Sequence, residues 1–488
     1  MKFTASEVAQ HNTRESCWVI INGRVYDVTE FLPEHPGGAA VMLRFGGQDA
    51  TEEYDPIHSP GTIEKELPPE KHLGEVIPTA EGPQMPKEPP EKQRNGEQDK
   101  PGAPPALSLM VGLDDFEKAA ERKLPRRAWI YYSSAAESKG TYGHNLIDWT
   151  KVGFRPRVLR DVSKADMRRT ILGHRSDLPI FISPCALGRL GHSDGERCLV
   201  KGAARFNISY AVSMGSSIDP KDLVNCLHEE NQGGSLAFQL YVKKDFNEVR
   251  QIIQRVKALG FRALMVTVDT PVVGKREEDD RFKAENGLPP LVTASEAEVI
   301  PRSPYSSSLN WDDLAWISEE WGNVGPLCLK GLATAEDVKH AADLGFTSLY
   351  LSNHGGRQLD GAPSGLHVLL EVRRFYPELL QDCEILLDGG VRRGTDVLKA
   401  LALGATAVGI GRPFMYALST HGTDGVCRAL EILADEIQTN MRLLGVTSVE
   451  QLKPSMLNTR RLEQEIVTTL HDDDGRPEGR GGRHRARI

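Results

Sequence analysis

The sequence lacks any long apolar run. No stretch approaches the roughly 18 to 20 consecutive apolar residues that a membrane-spanning helix needs, and the mean hydropathy of the chain is −0.37. The first residues, Met1 to Glu7, have neither the apolar core of a secretory signal nor the composition of a transit peptide. We therefore expect no membrane segment, and a cytoplasmic location for the chain as it stands.

Cysteine and basic charge are also scarce. The 488 residues include seven cysteines and no C-x-x-C pair, which argues against a disulfide framework and against a zinc site. The 59 Lys and Arg residues are outnumbered by 68 Asp and Glu residues, giving a net charge of −9. A general nucleic-acid-binding protein should be basic, so we expect no nucleic-acid partner.

A proline-rich segment divides the chain. Residues 78–106 contain eight prolines and no Leu, Ile, Val or aromatic residue, which is typical of a flexible linker. We expect a small domain at residues 1–77, a large domain at 107–470 and a C-terminal tail at 471–488. The small domain has six basic and thirteen acidic residues, and its net charge of −7 favours docking to a basic partner.

The large domain shows eight short apolar runs that alternate with helical segments. This pattern predicts an α/β fold, a (β/α)8 TIM barrel, whose active site lies at the carboxyl ends of the strands. A doubly wound sheet is the alternative, but the G-x-G-x-x-G dinucleotide turn does not follow the first strand. The eight runs are residues 179–183, 208–214, 236–241, 263–269, 327–330, 348–352, 384–388 and 407–411.

Two histidines stand out in the small domain. His35 lies in the turn Phe31 to Gly38, and His58 follows 23 residues later. Either histidine alone would be interpreted as a surface or capping residue. The segment from Phe31 to Gly38, however, resembles the heme-ligand motif of the cytochrome b5 family, and residues 18–28 resemble the core hairpin of that family. The resemblance covers residues 1–77 and implies a small α+β domain in which His35 and His58 are the axial ligands of heme b. Iron with both axial positions filled carries single electrons.

Three sequence segments in the large domain contain candidate catalytic and ligand-binding residues. In residues 352–360, His354 and Arg357 leave a strand end with glycines between them, which suits a proton acceptor beside a carboxylate-binding group. Asp269, at another strand end, is costly to bury unless it is paired, and a facing histidine is a natural partner. Glycine-rich turns at residues 388–394 and 409–413 lie where many barrels bind phosphate.

Together these segments resemble the family of FMN-dependent 2-hydroxy-acid dehydrogenases and oxidases, from about Leu113 to Leu462. The resemblance implies FMN as cofactor and His354 as the base, with Asp269 behind it. It implies that Arg357 and Tyr131 bind the substrate carboxylate, with Arg276 assisting from the same side. It also implies that Tyr241 meets the substrate hydroxyl and that Lys330 lies at the N1 edge of the flavin. The other implied flavin contacts are Pro184, Cys185, Ala186, Ser213, Gln239, Thr267, Asp388, Gly389, Gly390, Arg392, Gly411 and Arg412.

The sequence departs from that family at three positions. Ala135 replaces a usual Gly, and Cys185 replaces a common Thr beside the flavin. Gly215 stands where relatives place Leu or Trp against the substrate side chain. We expect this loss of bulk to enlarge the substrate pocket, and Gly215 is therefore a predicted substrate-binding residue.

The predicted function is oxidation of an L-2-hydroxy acid, either L-lactate or a larger acid such as L-mandelate, to the 2-oxo acid. Electrons would pass through heme b to cytochrome c, a basic one-electron acceptor. One alternative is an oxidase that uses O₂, and another is a sensor without catalysis. Family analogy further implies a homotetramer and the mitochondrial intermembrane space, whereas the C-terminal Ala486-Arg487-Ile488 resembles a weak peroxisomal signal. Residues 277–310 are expected to form either a lid over the site or a surface excursion.

Overall fold

A computed structural model describes residues 1–35, 38–55, 57–58, 61–77, 102–286 and 305–470. Most of the predicted linker, at residues 78–101, lies outside the described residues. So do residues 287–304 of the expected lid and the predicted tail, including the candidate peroxisomal signal.

The small domain has a four-stranded sheet in the order β1-β4-β3-β2, in which only the β1-β4 pair is parallel. Asn22 and Gly23 join β2 to β3, and both have positive φ (51° and 75°), which is the backbone of a tight hairpin turn. Val19, Tyr26 and Leu32 are buried in its core. The elements are β1 (Lys2–Phe3), α1 (Ala5–Val8), β2 (Trp18–Ile21), β3 (Arg24–Asp27), α2 (Ala39–Arg44), α3 (Thr51–Tyr54), α4 (Thr62–Glu66) and β4 (His72–Val76).

The large domain begins with three helices and three short strands that precede the barrel. Strand β6 pairs antiparallel with β7, and β5 pairs with a strand near the C-terminus. These elements are α5 (Leu113–Lys123), α6 (Arg126–Ser133), α7 (Gly140–Lys151), β5 (Gly153–Phe154), β6 (Arg169–Ile171) and β7 (His174–Ser176).

Eight parallel strands then close into a barrel, in the order β10-β11-β12-β13-β14-β15-β8-β9. The predicted TIM barrel is confirmed, each strand falls within or overlaps one of the eight predicted runs, and the doubly wound alternative is wrong. The strands are β8 (Ile180–Ile182), β9 (Ser209–Ser213), β10 (Ser235–Tyr241), β11 (Ala263–Thr267), β12 (Leu327–Leu332), β13 (Ser348–Leu351), β14 (Glu384–Leu387) and β15 (Ala407–Ile410).

Helices surround the barrel, and α17 contains a kink because His421 and Gly422 have non-helical backbone angles. No helix in the described part of the chain has the length and apolar character that a membrane crossing requires. The remaining elements are α8 (Arg197–Arg205), α9 (Pro220–Glu230), α10 (Phe246–Leu259), α11 (Glu277–Glu285), α12 (Leu314–Trp321), α13 (Ala335–Asp343), α14 (Gly365–Phe375), α15 (Leu379–Asp382), α16 (Gly394–Leu403), α17 (Arg412–Leu444), β16 (Leu457–Asn458) and α18 (Arg460–Glu463).

Successive side chains along each barrel strand point alternately into the barrel and toward the helices, which produces two apolar layers. In β11, for example, Ala263 and Met265 belong to the inner layer, whereas Leu264 and Val266 pack against the helices. Because both faces of each strand are buried, the strands appear in the sequence as continuous apolar runs. Polar side chains are left to the strand ends, where the site forms.

Candidate active site and heme-ligand pair

A cavity opens at the carboxyl ends of the barrel strands, enclosing about 1030 Å³ when the solvent at its mouth is counted. Predicted site residues from the ends of all eight barrel strands or the loops that follow them, and from α6, meet there, although they are widely separated in the sequence. Those that line the cavity are Tyr131, Pro184, Cys185, Ala186, Ser213, Tyr241, Arg276, Lys330, His354, Arg357, Asp388, Gly389, Gly390, Arg392, Gly411 and Arg412.

His354 follows β13 in a left-handed backbone conformation, with φ of 60°, which is uncommon for a residue with a side chain and is often found at active sites. Its Nδ1 lies 3.0 Å from Oδ1 of Asp269 and its Nε2 lies 3.1 Å from the hydroxyl of Tyr241. Burial lowers the pKa of His354, while the Asp269 charge opposes that effect. The ring is therefore neutral near pH 7, with Nδ1 donating to Asp269 and Nε2 available as an acceptor.

Asp269 is a buried carboxylate that remains charged. Burial alone would raise its pKa, but the positive charge that His354 carries when protonated, the charge of Lys330, and hydrogen bonds from His354 and Thr270 hold the pKa well below its usual range. Lys330 extends from β12 and places Nζ 3.9 Å from Oδ2 of Asp269. Gly331 is required beside it, because a Cβ there would lie 2.7 Å from the Asp269 side chain.

Two arginines face the cavity near Tyr131. Arg357 donates through Nη1 to the carbonyls of Tyr131 and Ser134, each at 2.9 Å. Burial lowers its pKa to about 10, so the guanidinium is still charged at neutral pH. Nε of Arg276 is buried and has no hydrogen-bond partner among the described residues. A buried donor without a partner is costly, and a bound carboxylate would satisfy it.

A hydrogen-bonded row lies under one side of the cavity. Ser213 donates to Oε1 of Gln239 at 3.1 Å, and Nε2 of Gln239 donates to Thr267 at 2.9 Å. Ser213 lines the cavity, whereas Gln239 and Thr267 are not among its lining residues. The row crosses β9, β10 and β11 and fixes the Ser213 side chain, which is the part of it that faces the cavity.

The opposite side of the cavity fits the ribityl chain and phosphate of FMN. Oδ2 of Asp388 accepts from Tyr350 at 2.8 Å, while Oδ1 is buried without a partner in the described part of the protein. Gly390 has φ of 74°, and a Cβ there would clash with a backbone oxygen at 1.8 Å. A Cβ on Gly409 would lie 2.4 Å from two hydroxyl oxygens. The open carboxylate oxygen of Asp388 suits the hydroxyl groups of a ribityl chain, and the glycine-lined backbone allows a phosphate to approach closely.

The two arginines predicted for the phosphate have protein partners. Arg412 donates to the carbonyls of Tyr132, Gly355 and Ser134 at 2.8 to 2.9 Å, and Arg392 pairs with Asp114 at 3.3 Å and Glu117 at 2.9 Å. Both still line the cavity. Arg412 therefore holds the loops of the site together as well as presenting charge to it.

Gly215 has a less direct position than predicted. It is not among the residues that line the cavity, but it lies against Ala186, which is. A Cβ on Gly215 would be 3.1 Å from Cβ of Ala186, and the carbonyl of Gly215 accepts from the amide of Leu187 at 3.2 Å. Burial raises the pKa of the adjacent Cys185 thiol to about 11, so it is uncharged.

Sequence reasoning missed several aromatic residues of the site. The hydroxyl of Tyr132 donates to the carbonyl of Leu187 at 2.6 Å, the ring of Tyr142 lies 4.9 Å from the guanidinium of Arg412, and Tyr350 binds Asp388. Tyr305 stacks on Tyr241. Tyr132 is adjacent to the predicted Tyr131, but nothing in the local sequence around Tyr305 connects it with the site.

In the small domain, His35 and His58 face each other with ring centroids 6.0 Å apart and planes inclined by 40°. Nδ1 of His58 lies 3.1 Å from the carbonyl of Tyr54, leaving Nε2 available. Burial lowers the pKa of both histidines, so both rings are neutral, as iron ligands must be. The pair fits the two axial positions of heme b.

The two domains touch through their charged groups. Arg127 of α6 forms an ion pair with Glu53 of α3, and Nη1 of Arg189 donates to the carbonyl of Asp55 at 2.8 Å. Arg189 closely follows the flavin-side residues 184–186, and Asp55 lies three residues before His58. The contact thus joins the two predicted cofactor sites.

Family models match both parts of the chain. An FMN-dependent dehydrogenase model matches residues 120–459, and a cytochrome b5-like heme/steroid binding domain model matches residues 4–77. A closed (β/α)8 barrel matched by the FMN-dependent dehydrogenase model defines a flavin-dependent oxidoreductase. The chain belongs to the FMN-dependent dehydrogenase family and, with its heme domain, to the flavocytochrome b2 type within it.

Individual relatives agree with this assignment. L-lactate dehydrogenase (cytochrome) of Wickerhamomyces anomalus is 39% identical, over 97% of this chain and 82% of that protein. 2-Hydroxyacid oxidase 2 of Mus musculus is also 39% identical, over 73% of this chain and 100% of its own. The oxidase therefore matches only part of the chain.

Solved structures show the same likeness. A flavocytochrome b2 mutant with pyruvate bound matches with a TM-score of 0.69 and 37% identity, over 79% of this chain and 96% of its own. The (S)-mandelate dehydrogenase of Pseudomonas putida, solved as a soluble mutant, matches with a TM-score of 0.63 and 30% identity. The match covers 72% of this chain and 99% of that one. The protein is an oxidoreductase of 2-hydroxy acids that uses FMN and heme b.

Proposed function

We propose that His354 is the base of this reaction and that Asp269 sets its tautomer. The observation that carries the proposal is the row Asp269, His354, Tyr241, joined at 3.0 Å and 3.1 Å at the edge of the cavity. Because Nδ1 donates to the carboxylate, Nε2 faces the substrate as an acceptor. Proton uptake makes the ring an imidazolium, and the adjacent carboxylate stabilises that charge.

The substrate carboxylate is assigned to Arg357, Arg276 and Tyr131. The open donor on Arg276 and the charged, buried guanidinium of Arg357 support this assignment. A carboxylate held by charge-assisted hydrogen bonds fixes the C2 carbon of the substrate relative to Nε2 of His354. The C2 hydroxyl is assigned to Tyr241, whose own hydroxyl lies 3.1 Å from Nε2 of His354.

FMN, when bound, accepts the two electrons from the substrate, and heme b carries them onward singly. Asp388, Gly389, Gly390, Gly411 and the two flanking arginines would hold the ribityl phosphate. Ser213 with Gln239 and Thr267 would hydrogen-bond the ring, beside the backbone of residues 184–186. Lys330 contributes a fixed positive charge in the cavity, where negative charge develops during reduction.

A 2-hydroxy acid with a bulky side chain, such as L-mandelate, is the proposed substrate. Supporting this, position 215 has no side chain beside Ala186, and one relative of similar fold is a mandelate dehydrogenase. The test is anaerobic flavin reduction by L-lactate and L-mandelate, measured in wild type, Gly215→Ala and Gly215→Leu. We expect the wild-type flavin to be reduced faster by mandelate than by lactate. The larger the side chain at position 215, the more the ratio of the two rates should shift toward lactate. A clear wild-type preference for lactate would overturn the substrate assignment while leaving the base assignment intact.

The proposed electron acceptor is cytochrome c, a basic protein suited to the acidic small domain. By family analogy, the proposed location of this reaction is the mitochondrial intermembrane space. The experiment compares cytochrome c reduction with peroxide formation in air. Stoichiometric peroxide with little cytochrome reduction would favour the oxidase alternative.

We also propose a homotetramer, which the exposed apolar neighbours Val158 and Leu159 support as a contact between copies. Light scattering should give a mass of about four chains. Leu159→Glu should yield a smaller species, and an unchanged mass would exclude this patch from the interface.

A further inference from the structure

Tyr305 packs against the cavity-lining residue Tyr241, although it lies 64 residues after it in the chain. The two rings are stacked, with centroids 4.3 Å apart and planes inclined by 15°. Tyr241 in turn places its hydroxyl 3.1 Å from Nε2 of His354. Tyr305 thus supports the ring of the residue that contacts the proposed base.

The backbone of Tyr305 is fixed to the same strand end as Tyr241. Tyr305 forms an antiparallel bridge with Lys243, and the amide of Ser306 donates to the carbonyl of Val242 at 2.8 Å. Ser306 is buried. The two rings are therefore carried by adjacent segments whose backbones are hydrogen-bonded to each other, and these bonds fix the position of one ring relative to the other.

Groups of the active site influence the ionisation of Tyr305. Burial raises the pKa of Tyr305 to about 12, with Tyr131 adding to the rise and Arg276 opposing it. Tyr305 likewise contributes to the raised pKa of Tyr241. Its phenol therefore lies within electrostatic range of the groups assigned to the substrate carboxylate, and it is neutral throughout the working pH range.

We propose that Tyr305 is a positioning residue that holds the ring of Tyr241 so that the Tyr241 hydroxyl stays in hydrogen-bonding contact with His354. This inference rests on the proposed role of His354. Without the stacked ring, Tyr241 at the strand end gains freedom on the ring face that Tyr305 covers, and the productive arrangement of hydroxyl and imidazole becomes less populated. Since catalysis is sensitive to small misplacements, the rate of substrate oxidation should fall although neither residue is removed.

The test measures flavin reduction in anaerobic single turnovers of the full-length holoenzyme with L-lactate and L-mandelate. Tyr305→Leu removes the ring, whereas Tyr305→Phe keeps the stacked ring and removes the hydroxyl. We expect Tyr305→Leu to lower the limiting rate roughly five- to tenfold and Tyr305→Phe to restore most of it. Phe246→Leu, which removes one ring of the Phe246–Trp316 pair on α10 and α12, is the matched control and should behave as wild type.

A double-mutant cycle separates positioning from a general loss of structure. In a Tyr241→Phe background the hydroxyl that Tyr305 positions is absent, so Tyr305→Leu should cost little further rate. An equal cost in both backgrounds, or an equal loss in Tyr305→Phe and Tyr305→Leu, would overturn the proposal.

Binding without turnover provides the second readout. Dissociation constants of pyruvate and benzoylformate, followed through the flavin spectrum, should change less in Tyr305→Leu than the limiting rate does. A loss of affinity that accounts for the whole effect would make Tyr305 a binding residue and overturn the positioning role. If no 2-hydroxy acid reduces the wild-type flavin, the proposed function fails, independently of Tyr305.

Discussion

Asp269 and His354 lie 85 residues apart in the chain, at the ends of β11 and β13, yet a 3.0 Å contact joins them. Lys330 from the intervening strand β12 approaches the other carboxylate oxygen to 3.9 Å. The three strand ends thus form one row of charged groups. The negative Asp269 lies between Lys330, which is positive, and His354, which becomes positive when it takes up a proton. This arrangement lets the imidazole take up a proton in a buried cavity.

Replacing Asp269 by Asn should therefore impair catalysis without removing the base. We expect the limiting rate of flavin reduction to fall by about 10²- to 10⁴-fold, the range of a lost acid-base contribution. The matched control is Asp245→Asn, a helix-capping carboxylate outside the cavity. Stopped-flow flavin bleaching measures both, and a loss under threefold in Asp269→Asn would contradict the role given to this carboxylate.

The pH dependence of kcat/KM should have an acid limb set by His354. Burial lowers the pKa of His354 below its ordinary 6.5, and the neutral form is the active base. Activity is then complete above that pKa and is lost as the pH falls through it. The Asp269 carboxylate raises the pKa of His354. In Asp269→Asn this charge is lost, so the acid limb of kcat/KM should move to a still lower pH. A limb that moves to higher pH would refute this electrostatic account.

Arg189 should control how fast electrons reach the heme. Its hydrogen bond to the carbonyl of Asp55 joins the flavin side of the barrel to the heme domain. We expect Arg189→Ala to slow heme reduction severalfold after flavin reduction, with the flavin step unchanged, and high salt to slow it similarly. Arg168→Ala, which breaks an exposed pair with Asp166 in the segment that precedes the barrel, is the control. Equal effects on both steps would show that Arg189 does not act through docking.

His58→Ala should abolish stable heme binding, since one axial ligand is lost. The heme absorbance of the purified variant should be absent, and added hemin should no longer raise the Tm of the small domain, as it would for a ligand that binds only the folded state. Flavin reduction by substrate should persist, because the barrel has its own core. His11→Ala, at a histidine outside the His35–His58 pair that stacks on Trp18, is the comparison, and equal heme loss in both variants would contradict the ligand assignment.

Much of the architecture could be predicted from the sequence because the signals are local. Each barrel strand is buried on both faces, so each produces an apolar run. The polar residue at or just beyond the carboxyl end of that run, such as Asp269, Lys330 or His354, must lie at the same end of the barrel. His35 and His58 were found through a motif rather than through periodicity. The convergence of the barrel residues then follows from closure of the barrel.

The sequence by itself determined which residues lie at the strand ends, because burial and strand geometry leave them no other place. Only the tertiary structure decided what those residues touch. Arg412 turns to three backbone carbonyls, Gly215 lies against Ala186, and Tyr305 stacks on Tyr241. Such contacts depend on side-chain directions and on segments distant in sequence that pack together, and no local pattern of residue types specifies them.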